Sequence, residues 1–184
     1  VTLIRGVAAE DILNYWFKTL SEEAHFKVDP TVDAEIRERF TDVYEGLKQR
    51  VPEDWRRDGH GLLAAIIALD QFPRNMFRGH ALAYATDSRA IALAREGVAN
   101  GFDKPLTTKE RQFFYLPFQH SEMLQDQHQS VQLYEDLGPD ILDWALRHKA
   151  VIERFGRFPS RNEALGRFTT EEEAEFLKEN PLGF

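Results

Sequence analysis

Apolar positions recur at three- and four-residue intervals along most of the chain, and the strict alternation of a half-buried strand is nearly absent. The pattern predicts a first helix over about 8–19. A second follows "DPTVDAEIRERF", with Asp29 as N-cap and Pro30 at the first position, and runs to about Gln49. A third covers roughly 60–72 and is expected to stop at Pro73, with a short helical turn around Asn75–Phe77. The next spans about 80–100 and is closed by Gly101 in a left-handed cap. "TTKE" at 107–110 reads as a capping box that opens another helix. Pro117 is expected to kink or split that helix, leaving a second piece at about 117–137. "GPD" opens a helix at about 139–155 that ends at Gly156, and "TTEEEAEFLKE" starts the last, with glutamates at the positive end of its dipole. The expected fold is a single all-helical domain over 1–184, a compact array of antiparallel helix pairs with short loops.

Within this pattern the polar residues on apolar faces stand out. At about 100° per residue, the run Leu62–Leu69 covers every direction, the mark of a buried helix. Asp70 ends the run on the side of Leu63 and Ile66. A carboxylate there needs a cation or several N–H donors. Two readings stay open, a buried Asp–Arg clamp between helix ends and an acid in a pocket. On the 139–155 helix the apolar stripe holds Ile141, Trp144, Ala145, Ile152 and Phe155, and His148 falls near its centre. A central imidazole must find partners for both ring nitrogens. It is either a satisfied core residue or a group that moves protons and touches a ligand. Arg147 and Arg154 flank the stripe. In "LPFQHSEMLQDQ", His120, Leu124, Gln127 and Val131 share one face of a regular helix, whereas Glu122 points about 160° away from His120. "HSE" is therefore a weak metal motif, there is no HExxH, and neither a metal nor a cofactor is expected.

A short phrase is written twice, "QFPRN" at 71–75 and "RFPSRN" at 157–162. In each, Pro is expected to break a helix, Phe to plug the core, Arg to emerge at the break and Asn to cap the next turn. Free amides near such a start, together with guanidinium forks, make a receptor for carboxylate or phosphate. The duplication is equally readable as architecture.

Charge sharpens this. The chain carries a formal net charge of −8, yet Arg147–Arg167 holds five arginines and one lysine against Glu153 and Glu163, a net of +4. The overall sign argues against a nucleic-acid or anionic-membrane surface. The longest apolar run, "GLLAAIIAL", is too short to span a bilayer, and "VTLIRGVAAEDILNYWF" lacks a signal-peptide pattern. The absence of cysteine excludes disulfides and thiolate chemistry and fits a cytoplasmic setting. No glycine-rich phosphate loop, nucleophile elbow or dinucleotide fingerprint is present.

"LDQFPRN" (69–75), "YLPFQHSE" (115–122), "DQ" (126–127) and "RHKAVIERFGRFPSRNEALGR" (147–167), with "DAEIRERF" (33–40) and "FLKE" (176–179), resemble the bacterial domain of unknown function 924 family. The resemblance spans nearly the whole chain. It implies an all-α fold similar to tetratricopeptide-repeat proteins and implies no reaction. Two positions depart from the family pattern: Ser160 stands where histidine is usual, and Gln119 where glutamate is frequent.

Two functions follow as expectations. The first is a small-molecule site for an anionic metabolite, a carboxylate or a phosphate, between helix ends. His148 and His120 would be its proton carriers, and Asp70, Arg74, Asn75, Gln127, Arg154, Arg157, Arg161 and Asn162 its ligand contacts. The second is a helical-repeat module that binds a peptide or protein. They are separated by whether these side chains line a concave pocket or are saturated by carboxylates and carbonyls.

Overall fold

A computed structural model describes residues 2–181. Among these the chain is all-helical, with helices over 69% of its length and no strand. Contacts gather into two units. The first combines the chain through Arg78 with Leu82–Pro117, and the second combines Gly79–Ala81 with the chain from Phe118 onward.

In the first unit, α1 (Ala9–Asn14) runs into a π-helical turn over Tyr15–Thr19. α2 (Pro30–Gln49) begins as expected, with the Asp29 carboxylate accepting from the amides of Thr31 and Val32. α3 (Gly59–Ile66) is the buried helix, with Leu62 through Leu69 all fully buried. Each such leucine or isoleucine contributes roughly 1.5–3 kcal/mol to burial. α1 and α5 (Asp87–Ala99) both pack on α3. Tyr15, Phe40 and Phe72 form an aromatic cluster, with Phe40 stacked on Phe72 at 4.6 Å between ring centroids and Tyr15 tilted against Phe40 at 5.0 Å.

The glycines of "GHG" have a packing reason. A methyl group on Gly61 would lie 2.3 Å from the Trp55 carbonyl oxygen, and one on Gly59 would lie 2.1 Å from that of Phe102. Only glycine lets these two loops reach the start of α3.

Pro73 does not stop the third helix. After Ile66 the chain widens into a π turn over Ile67–Gln71 and continues as α4 (Phe72–Met76). The Phe72 amide reaches back five residues to the Ile67 carbonyl. The carbonyl that Pro73, lacking an N–H, cannot serve is that of Leu69, four residues earlier. It accepts the buried Thr86 hydroxyl at 2.5 Å. A donor from outside the helix thus replaces the missing amide. The predicted 80–100 helix is also shorter, because residues 81–84 form a separate 3-10 turn before α5 begins.

α6 (Thr108–Gln119) opens on the expected capping box, in which the Thr107 hydroxyl accepts from the Glu110 amide and Glu110 accepts from the Thr107 amide. It passes through Pro117 and ends only after Gln119. Proline costs it the one bond to the Phe113 carbonyl, a turn before its end. In the second unit, α7 (Leu124–Tyr134) packs on α8 (Pro139–Phe155) through a short turn. α8 has the predicted bounds, with Gly156 left-handed at φ +68°. α9 (Glu171–Glu179) starts with Thr170 and Glu173 as a capping box. Phe158 plugs this unit's core beside Val151 and Ile152.

Candidate functional site

Buried polar side chains gather at the break between α6 and α7, in the second unit. Residues 120–123 are not helical, so His120 and Gln127 do not share a regular helix face as expected. A helix leaves its last carbonyls without amide partners, and here side chains supply the donors. The Gln127 amide nitrogen donates to the carbonyls of Ser121 (2.6 Å), Gln119 (2.8 Å) and, more weakly, Phe118 (3.4 Å). Arg161 donates to the His120 carbonyl at 2.7 Å, and its guanidinium lies 4.6 Å from the centre of the Phe158 ring. Because all of Gln127's nitrogen partners are acceptors, its amide cannot be flipped, and its buried Oε1 has no hydrogen-bond partner.

Two imidazoles meet at this break. The His120 and His148 ring centroids are 6.5 Å apart. His148 is buried on α8, as the stripe predicted, and its Nδ1 lies 2.7 Å from the Trp144 carbonyl. A carbonyl only accepts, so Nδ1 carries the proton, and in the neutral ring Nε2 carries the lone pair. Trp144 itself is 51% exposed rather than buried. It lies on the margin of the stripe, about 100° round from Ala145, where Arg147 covers its ring.

The basic island is largely neutralised within its own unit. Arg157 makes a two-pronged pair with Glu173 (2.7 and 2.9 Å) and also donates to the Phe168 carbonyl. This pairing and the Thr170 amide hold the Glu173 carboxyl down at about 2. Arg154 pairs with Glu172 at 2.8 Å on the surface. Arg167, which sequence reasoning did not single out, binds both oxygens of Glu122, the Asn162 side-chain oxygen and the Phe158 carbonyl. Burial would raise the Glu122 carboxyl, but Arg167 and the Phe158 amide more than offset it and hold it below the usual range. Glu122 is thus a clamp at the second Phe-Pro turn.

In the first unit, the Asp70 side chain is buried and accepts from the Gln71 amide at 2.6 Å. Arg74 donates to the Asp70 carbonyl at 2.7 Å and forms a fork on Asp87 at 2.7 and 2.9 Å. Burial opposes the Arg74 charge, yet Asp70 and Asp87 outweigh it and raise its pKa. The expected Asp70–Arg74 clamp is present, with the Arg74 guanidinium 3.5 Å from Asp70 Oδ1, and it is shared with Asp87, which no sequence signal marked beyond its place in the first turn of α5.

The repeated phrase produces one shared device. Neither asparagine caps its own turn. Asn75 donates to Asp33 at 2.8 Å, and Arg78 binds that carboxylate with two prongs at 2.8 Å each. Asn162 donates to Glu173 at 3.1 Å, and Arg157 supplies the fork there. Both carboxylates lie in the first turn or so of another helix, α2 or α9. In each copy the asparagine joins a guanidinium, Arg78 three residues past the first copy and Arg157 at the head of the second, to lock a carboxylate at another helix's N-terminal end.

These features define an all-helical protein with arginine–carboxylate locks in both units and a histidine pair at one helix break. The chain belongs to the family described as "Bacterial protein of unknown function (DUF924)", which matches residues 12–181. It is also similar to a protein of unknown function from Agrobacterium tumefaciens, whose solved structure shares 40% identity and a TM-score of 0.88 over 93% of this chain and 97% of that one. No curated protein matches it. Ser160 is exposed in the 3-10 turn that ends at Arg161, and Gln119 is buried with its Oε1 unpartnered. Among the described residues, no group of three or more histidine, aspartate or glutamate side chains is placed to hold a metal ion, and no helix is long and apolar enough to cross a membrane.

Proposed function

We propose that the second unit carries a small-molecule site at the α6–α7 break, for an anionic metabolite bearing a carboxylate or a phosphate. The observation that carries this reading is the His120–His148 pair, 6.5 Å apart, with the His148 tautomer fixed by the Trp144 carbonyl. His120 and His148 are the proton carriers if chemistry occurs, and Arg161 supplies positive charge beside them. Arg154, Arg157 and Asn162 serve as supporting clamps, since carboxylates already engage them. In the first unit, Asp70, Arg74 and Asn75 support the fold in the same way. A cytoplasmic setting goes with this reading.

The test is a thermal-stability screen against small carboxylates and phosphates. A ligand at 100 times its dissociation constant adds about 2.7 kcal/mol. The shift is expected to vanish in His120→Ala and in His148→Gln while Glu172→Gln retains it. A shift that survives both histidine changes, or no shift from any anion, defeats the reading.

A tetratricopeptide-like interaction module is the second reading. It rests on the α7–α8 pair and on Trp144 and Leu146, exposed on α8. A peptide partner on α8 would keep its affinity in His120→Ala and lose it in Trp144→Ala, whereas a small anion at the histidine pair would do the reverse.

A further inference from the structure

In the first unit, residues 21–28 join the π turn after α1 to the start of α2, and little holds them down. Only Ala24 and His25 are partly covered; the other six are exposed, with Phe26 at 66% and Val28 at 61%. The backbone bonds donated by Ala24, Phe26 and Lys27 stay within the segment. Among the described residues, two polar ties leave it. Glu22 pairs with Lys109 of α6 at 2.8 Å, but its side chain is 82% exposed, and an exposed pair contributes little. The other tie runs from His25 Nε2 to the Trp16 carbonyl, at 2.7 Å. A segment held by so few contacts is one that opens locally, ahead of the core.

The His25 ring is therefore the main anchor, and it sits on an aromatic face. It lies nearly parallel on Trp16, with centroids 4.8 Å apart, and meets Phe113 edge-on at 5.0 Å. Trp16 and Phe113 are buried beneath it, and Phe26 stacks on Phe113 at 6.0 Å. Because a carbonyl only accepts, Nε2 carries the proton of the neutral ring. Nδ1 carries the lone pair and is buried without a partner. An imidazolium donates from both nitrogens, and the closed segment gives Nδ1 nothing to donate to. The charged groups around the ring are Glu22 from its own segment and Lys109 from α6, which act on it in opposite senses and are paired with each other. Trp16 and Phe17, which the π turn presents, are uncharged. Burial pushes the His25 pKa below 6.5.

We propose that residues 21–28 form a pH-sensitive strap, which neutral His25 holds on the Trp16–Phe113 face and protonated His25 releases, baring that face while the helices stay folded. Since Nδ1 is enclosed, the lifted strap is the form that takes up the proton, and acid traps it open. The closed form is favoured in full above the ordinary histidine value of about 6.5 and loses ground as pH falls below it. The strap is independent of the proposed anion site, which lies in the other unit and on different residues.

The test is hydrogen exchange of the full chain, read as protection factors corrected for intrinsic exchange. Protection of the Ala24, Phe26 and Lys27 amides is expected to fall up to about tenfold between pH 7.5 and 5.5, while the buried amides of α3 keep theirs. His25→Phe keeps a flat ring on Trp16 but cannot titrate, so its strap should show no response to pH. Glu22→Gln cuts the tie to Lys109 and should keep the response. Strap protection that is unchanged at pH 5.5 overturns the proposal, as does a rise, which stacking of the imidazolium on Trp16 would give. The same response in His25→Phe, or its loss in Glu22→Gln, overturns it too. So does an equal loss of protection in α3, which would mark global unfolding.

Discussion

At the scale of single residues, a carboxylate's exposure decides what its arginine is worth. Glu172 and Glu173 are neighbours in the first turn of α9, and each holds an arginine from the end of α8 or the turn after it. The Glu172 side chain is 63% exposed and that of Glu173 only 3%. Glu172→Gln should change stability by no more than about 0.5 kcal/mol. Glu173→Gln should lower the melting temperature several times as much, because it strands the Arg157 fork, the Asn162 amide and the Thr170 cap together. Parallel thermal melts of the two variants check this; equal losses would show that the lock adds nothing. The sequence marked the arginines and asparagines of these locks but not the carboxylates they chose. The pairing depends on which helix start comes near each turn, and that is set by packing far along the chain.

At the scale of elements, the start of α3 illustrates how tightly loops fix a helix. Gly61→Ala drives a methyl into the Trp55 backbone, which cannot give way as a flexible side chain would. A loss of about 1–3 kcal/mol is expected, measured by denaturant unfolding; a neutral effect would mean that the loop before α3 yields. Helix starts were the most legible elements, because Asp29, Thr107 and Thr170 carry their signals locally. Helix ends at proline were the least legible. Pro73 and Pro117 both lie inside or across helical stretches, since the carbonyl each leaves behind can be satisfied from elsewhere or lost near an end. The break after Gln119 is written not at a proline but in Gln127 and Arg161, which take over the terminal carbonyls from positions 8 and 41 residues away from the carbonyls they cap. The candidate site was legible only in its histidines. His148 showed itself by its place in an apolar stripe, whereas the closeness of His120 depends on a loop that helical periodicity cannot describe.

At the scale of the whole molecule, the buried ionisable groups predict how stability depends on pH. Glu173, Glu122 and Asp33 all have carboxyls held below their ordinary values. Their contribution is complete above the unfolded value of about 4.5 and is lost as pH falls toward the folded values. His25 adds an earlier step. Its ring is stacked on Trp16 at 4.8 Å, its Nε2 donates to the Trp16 carbonyl, and its buried Nδ1 has no partner. Burial pushes its pKa below the ordinary 6.5. As pH drops below about 6.5, the unfolded chain takes a proton that the folded chain refuses, so stability falls there too. Melting temperature should be flat between about pH 7 and 9, decline gently below 6.5 and fall steeply below 4.5. His25→Phe should remove the gentle decline and leave the steep one; a wild-type profile flat down to pH 5 would contradict the assignment.

The Thr86 hydroxyl on the Leu69 carbonyl has a consequence for how this sequence can drift. Pro73 and Thr86 are coupled through one carbonyl, although they stand 13 positions apart in the chain. Replacing Thr86 while Pro73 stays leaves the Leu69 carbonyl stranded in the core, whereas replacing Pro73 while Thr86 stays adds a second donor to an oxygen that can accept two. The order of substitution therefore matters: a lineage can lose proline first at modest cost and threonine afterwards, but the reverse route passes through a damaged intermediate.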